Sequence, residues 1–101
     1  MKLLIIITIN QFKEDIRNLL SENQVSLITE TDVDSFKADY EQTNENNWFG
    51  DRHNPINSTK FLAFIKDEKI EFILNQIKEY KNDKRCLNSL QALVLDGIKS
   101  V

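Results

Sequence analysis

His53 is the single histidine of this chain, and Asp51 stands two residues before it. Imidazole beside carboxylate is metal-ligating chemistry, but one histidine and one distant cysteine give none of the spacings that hold zinc. A solvated loop histidine is the preferred reading of His53, since a metal site would need several copies of the chain to pool theirs. Cys86 follows Lys84 and Arg85, two cations that favour a thiolate. As the only cysteine it closes no intrachain disulfide, and we read it as a small filler in a reducing compartment. Trp48-Phe49 is an aromatic pair in otherwise polar sequence, followed by Gly50-Asp51-Arg52. Buried aromatics dominate binding hot spots. Trp48, Phe49, Asp51 and Arg52 are therefore candidates for contacting a partner, against the competing reading that the pair folds back on its own domain. No serine–histidine–aspartate pattern and no phosphate-binding P-loop is present, nor are there paired carboxylates with a reason to converge. The chain is therefore expected not to be an enzyme.

These candidates need a scaffold, and composition bounds it. The 101 residues fit one domain, 1–101, and a hydrophobic content of 41% supplies a small core. The formal net charge of −3 opposes non-specific nucleic-acid binding, which depends on neutralising phosphates. Charge is unevenly spread. From Glu30 to Arg52 seven acids face two bases, whereas bases outnumber acids in the rest of the chain. Leu3-Leu4-Ile5-Ile6-Ile7-Thr8-Ile9 is short for a signal-peptide core, has no small-residue cleavage site after it, and is far too short to span a bilayer. It reads as a buried strand, and the protein as cytoplasmic.

Along the chain, Leu3–Ile9 is almost continuously apolar, which fits a strand covered on both faces. Asn10 is a good N-cap for a helix whose apolar face is Phe12, Ile16, Leu19 and Leu20, with Asn23 as its stop. Residues 25–33 alternate with period two and predict a second strand. A polar connection follows, from about Asp34 to Ser58, with turn chemistry in Asn44, Asn46, Asn47, Asn54, Pro55 and Asn57. Connections of that length are usually functional or disordered, and this one is expected to be the mobile part of the free protein. Lys60–Ile65 is the third strand. Asp67 can cap a second helix with Ile70, Ile73, Leu74, Ile77 and Tyr80 on its apolar face. A polar turn over 82–89 leads to a fourth strand, Leu90–Leu95, and Gly97 can bend the tail. The order is βαββαβ, a ferredoxin-like α+β fold: a four-stranded antiparallel sheet with both helices on one face. Its other face has no covering element in the chain, although its strands are apolar at both parities. Self-association is the simplest way to cover it. Lys60-Phe61-Leu62-Ala63-Phe64-Ile65 has a faint likeness to an RNA-stacking strand, but its glycines and a second aromatic strand are missing, so Phe61 and Phe64 are expected in the core or an interface.

At the residue level the chain resembles the PII signalling proteins. That family opens M-K-x-I-x-x-I-I-x-x-F-K and continues D-x-x-x-x-L; here Met1-Lys2 leads an apolar strand, then come Phe12-Lys13, Asp15, Arg17 and Leu19-Leu20-Ser21-Glu22. The family's T-E-V-x-G-F before its long loop is matched by Thr31-Asp32-Val33-Asp34-Ser35-Phe36. The resemblance implies a homotrimer with ligand clefts between subunits near the loop base. It also implies a loop that responds to a small ligand or ion and docks on a partner such as a membrane transporter. Thr31, Asp32, Ser35 and Phe36 at the loop base, with Lys84 and Arg85, are the ligand-binding candidates it points to.

Two departures bear on the ligand. The family's glycine-rich phosphate turn, T-G-x-x-G-D-G-K, is here Asn82-Asp83-Lys84-Arg85-Cys86-Leu87-Asn88-Ser89, without a glycine. Backbone amides approach phosphates closely where no Cβ intervenes, so nucleotide binding is expected to be weak or absent and no cofactor is assigned. Ser35 replaces the hinge glycine. The alternative is a divalent-metal-binding protein like CutA, which shares the architecture.

Overall fold

The computed structural model describes residues 1–36, 55–85, 88–99 and 101. Strand β1 (Lys2–Ile9) leads through a 3₁₀ turn (Asn10–Phe12) into helix α1 (Lys13–Glu22). Strands β2 (Ile28–Ser35) and β3 (Ile56–Ile65), helix α2 (Asp67–Lys84) and strand β4 (Leu90–Leu95) complete the order. The sheet runs β2-β3-β1-β4, and every neighbouring pair is antiparallel. This is the expected βαββαβ fold, with β1 in the interior because two crossovers bracket it.

Register assigns each side chain to a face. Leu4, Ile6 and Thr8 of β1 lie opposite Ala63, Phe61 and Thr59 of β3, and opposite Val94, Ala92 and Leu90 of β4. These residues meet Ile16 and Leu20 of α1 and Ile70, Ile73 and Ile77 of α2 in one core. Both helices therefore cover the same face. The other parity makes two unbroken apolar rows, Leu95–Leu3–Phe64 and Leu93–Ile5–Leu62. Phe64 (47%), Leu93 (56%) and Leu95 (48%) remain exposed there. The apolar run of β1 is thus covered by helices on one side only.

Several boundaries differ from expectation for local reasons. Asn10 does not cap α1: Phe12 holds that position with no side-chain bond, while Asn10 Oδ1 accepts the Thr59 hydroxyl at 2.7 Å. Asp67 is the first residue of α2 rather than its cap, and pairs with the N-terminal amine at 2.9 Å. Asn23 does end α1, donating through Nδ2 to Leu19 O (2.8 Å) and to Gln76 Oε1 of α2 (2.5 Å). The left-handed turn falls on Gln24 (φ 62°), so β2 starts at Ile28 rather than Val25. β3 begins at Ile56, earlier than Lys60. α2 continues to Lys84, inside the stretch expected to be a turn, and ends at left-handed Arg85.

Candidate functional site

The polar residues of the sheet gather at one end. β1 and β2 finish there, β3 and β4 start there, and α2 returns to it because it runs back from Ile65 towards Leu90. Thr8, Ser58, Thr59 and Ser89 are buried hydroxyl residues of this end. Their polar atoms are satisfied locally. Thr8 donates to Ile9 O (3.2 Å), Ser58 to Ile56 O (3.1 Å) and Thr59 to Asn10, while Ile9 N–H donates to Ser89 O (3.1 Å). Buried hydroxyls left without partners would destabilise this end of the core.

Beside them opens a cleft of about 400 Å³, lined by Asn10, Asp32, Val33, Asp34, Asn57 and Ser58. Asp32 and Asp34 share the helix-side face of β2, opposite Thr59 and Asn57. Glu30 is on that face too, but Arg17 of α1 takes it in a two-pronged ion pair, Nε to Oε1 at 2.5 Å and a second guanidinium nitrogen to Oε2 at 2.9 Å. The hydrogen bond from Arg17 holds the Glu30 carboxyl below its ordinary pKa. None of the ion pairs among the described residues involves Asp32 or Asp34. The described lining offers carboxylate, carboxamide and hydroxyl groups and no cation, so it accepts hydrogen bonds more readily than it holds phosphate.

The loop-base candidates do not form one cluster. Thr31 and Ser35 lie on the open sheet face, opposite Lys60 and Ile56, and Asp32 lies on the helix-side face. Phe36 is exposed just beyond β2. Lys84 and Arg85 are at the same end of the sheet, but α2 leads into β4, the edge opposite β2. Three strand spacings separate those edges, roughly 14 Å. Within one chain the basic pair and Asp32 therefore belong to different edges. Trp48, Phe49, Asp51, Arg52, His53 and Cys86 lie outside the described residues, as does most of the 34–58 connection. Among the described residues no three histidine, cysteine, aspartate or glutamate side chains gather where they could hold a metal.

Asn10, Asn57 and Ser58 are cleft residues that sequence reasoning assigned to capping, turns and the loop end. Their signal was present but weak: Thr8 and Thr59 interrupt apolar strands at inward positions, which marks a polar end of the core. The stacking platform is absent for a definite reason, since Phe61 is buried under the helices and Phe64 points to the opposite face. No described helix is long and apolar enough to cross a membrane.

The fold recurs in solved structures. A DUF3240 family protein from Shewanella baltica OS155 superposes with a TM-score of 0.69 at 15% identity, covering 99% of this chain and 92% of that one. CPII from Thiomonas intermedia K12, a nitrogen regulatory PII-like protein, matches in two states. Its form bound to ADP, AMP and bicarbonate gives a TM-score of 0.65 at 20% identity, covering 99% and 94%. Its apo form gives 0.62 at 18%, covering 93% and 85%. No protein-family model and no curated protein matches the sequence. The chain is structurally similar to PII-like proteins over nearly its whole length, a likeness of fold at these identities.

Proposed function

We propose that this protein is a non-enzymatic, PII-like regulatory sensor that works as a homotrimer. The observation that carries the reading is the polar cleft at the base of the β2–β3 connection, in a fold shared with a nitrogen regulatory protein. A ligand seated beside Asp32 and Asp34 would touch the strand end from which the connection departs. Its binding energy can then bias how residues 37–54 meet a partner, and a sensor needs that differential interaction. Thr31, Ser35 and Phe36 sit at the same strand end, and Lys84 and Arg85 of an adjacent copy are the cations that would complete a cleft between subunits. A membrane transporter is the class of partner that the resemblance implies, with Trp48, Phe49, Asp51 and Arg52 as its contact residues.

Calorimetry with ADP, AMP, ATP and bicarbonate tests the ligand. Bicarbonate should bind with an affinity that falls at least several-fold in Arg85→Ala, and the nucleotides should bind weakly or not at all. Tight binding of ATP would show that the glycine-free turn is no obstacle. No heat with any of the four, under conditions where the protein is folded, would remove the sensor reading for these ligands. A second reading, a divalent-metal-binding protein like CutA, is favoured by the two carboxylates of the cleft. Titration with divalent cations separates the two, because Asp32→Asn should abolish a metal signal outright.

A further inference from the structure

Among the described strand residues, the open sheet face carries one charge. Its strand residues are Leu3, Ile5, Ile7 and Ile9 of β1, Leu62, Phe64 and Lys60 among those of β3, Leu93, Leu95 and Gln91 of β4, and the odd-numbered residues of β2. Lys60 is the only ionisable side chain in that set. It lies one row beyond the apolar rows, directly opposite Thr31 on one side and Ile7 on the other, and Gln91 faces Ile7 from β4. Thr31 and Lys60 are directly paired, so their Cβ atoms are about 5 Å apart. Lys60 is half-buried, and no ion pair among the described residues engages its ammonium. On the opposite face Lys2 and Glu30 have partners, Asp96 and Arg17, whereas no ion pair among the described residues engages Asp32 or Asp34.

From this we infer that Lys60, with Thr31 beside it, forms a binding site for a small oxyanion that is closed when copies of this chain cover the face. The inference rests on the self-association proposed above. The occupant is a second copy because the apolar rows are nearly uncharged and continuous, so they match one another better than they match the acidic exterior of β2. Covering the face takes the ammonium out of water, and a charge removed from water without a counter-charge opposes assembly. An oxyanion held by the ammonium and the Thr31 hydroxyl removes that opposition and so favours the assembled state. The counter-charge has two possible sources, an anion from solution or a carboxylate of the adjacent copy, and the inference is for the first.

Light scattering over a dilution series, at fixed ionic strength, with low-millimolar inorganic phosphate replacing chloride, reads the effect. Wild type should dissociate at a concentration several-fold lower in phosphate than in chloride. Lys60→Met should assemble equally well in both, and Lys60→Gln should behave the same way. Far-ultraviolet circular dichroism confirms that both variants are folded. Assembly of wild type that ignores phosphate would overturn the inference while leaving the oligomer standing, and would assign the counter-charge to the adjacent copy. A phosphate response retained in Lys60→Met would overturn it as well, as a general salting effect. Wild type and both variants monomeric throughout would overturn the inference and the oligomer together.

Discussion

At the scale of single residues, the inner face of the sheet sets stability and one ion pair makes it pH-dependent. Phe61 is fully buried between the helices and the central strand. Phe61→Ala should therefore cost about 3–5 kcal/mol, read as a lower urea midpoint. Phe64, three residues on, faces the other way, and Phe64→Ala should barely move the midpoint of the dissociated chain. Glu30 supplies the pH term. Its folded pKa is depressed, chiefly by the hydrogen bond from Arg17, so ionised Glu30 stabilises the fold above the unfolded carboxyl's pKa of about 4.3. That contribution is lost as pH falls below this value through the folded pKa. The stability difference between wild type and Glu30→Gln should accordingly be present at pH 7 and shrink to nothing in acid. A difference unchanged down to pH 3 would mean that the Arg17 contact does not influence Glu30 ionisation.

Elements are joined here by short polar devices at their ends. The turn after α1 needs a left-handed residue, and Gln24 occupies it at φ 62°. Its N–H still donates to Ser21 O at 3.0 Å, and the Val25 N–H donates to Leu20 O at 3.3 Å. A side chain with a Cβ is disfavoured in that conformation, whereas glycine is at ease there. Gln24→Gly should raise stability by roughly 0.5–1 kcal/mol, checked by denaturant titration; a loss would show that the 3.3 Å contact from Lys69 to the Gln24 carbonyl oxygen Oε1 matters more than backbone strain. Nearby, Asn23 ties α1 to α2, and Asn23→Ala should cost about 1 kcal/mol by removing both of its bonds. The edges of the sheet are managed differently. β2 carries Glu30, Asp32 and Asp34, like charges that oppose its pairing with another β2, whereas β4 is uncharged along its length.

For the whole molecule, the decisive asymmetry is between a covered and an uncovered sheet face. Leu3, Ile5, Leu62, Phe64, Leu93 and Leu95 form one apolar surface, and such surfaces mark interaction sites. Leu93→Asp places a charge within this surface without touching the core. If the proposed trimer packs through this face, light scattering should give the mass of three chains for wild type and of one for this variant, with an unchanged circular dichroism spectrum. A variant that keeps the wild-type mass would exclude this face as the contact. The cleft beside Leu27 and Phe64, about 250 Å³ and also lined by Met1, Ser26 and Ile98, lies at the end of the face away from the β2–β3 connection. It extends the apolar surface towards the tail, where Gly97 adopts φ 73°.

Much of this was legible in the residues themselves. The alternation of apolar and polar positions dictates strands and helices because side chains must choose between water and the core, so element order, the inner helix faces and the uncovered sheet face follow from the sequence alone. Ile16, Leu20, Ile70, Ile73 and Ile77 needed nothing further to be placed in the core. Local pattern does not contain register, and register decided the rest. Residues adjacent in sequence, Thr31 and Asp32, point to opposite faces, so the loop-base candidates are divided between the two sides of the sheet. Asn10, Asp32 and Asn57 come from three separate segments, and only pairing of β1, β2 and β3 brings them to one cleft. Lys60 is an ordinary strand lysine in the sequence. Only the sheet makes it the single charge among the described strand residues of an apolar face, because what surrounds a strand residue is contributed by its neighbours across the ladder.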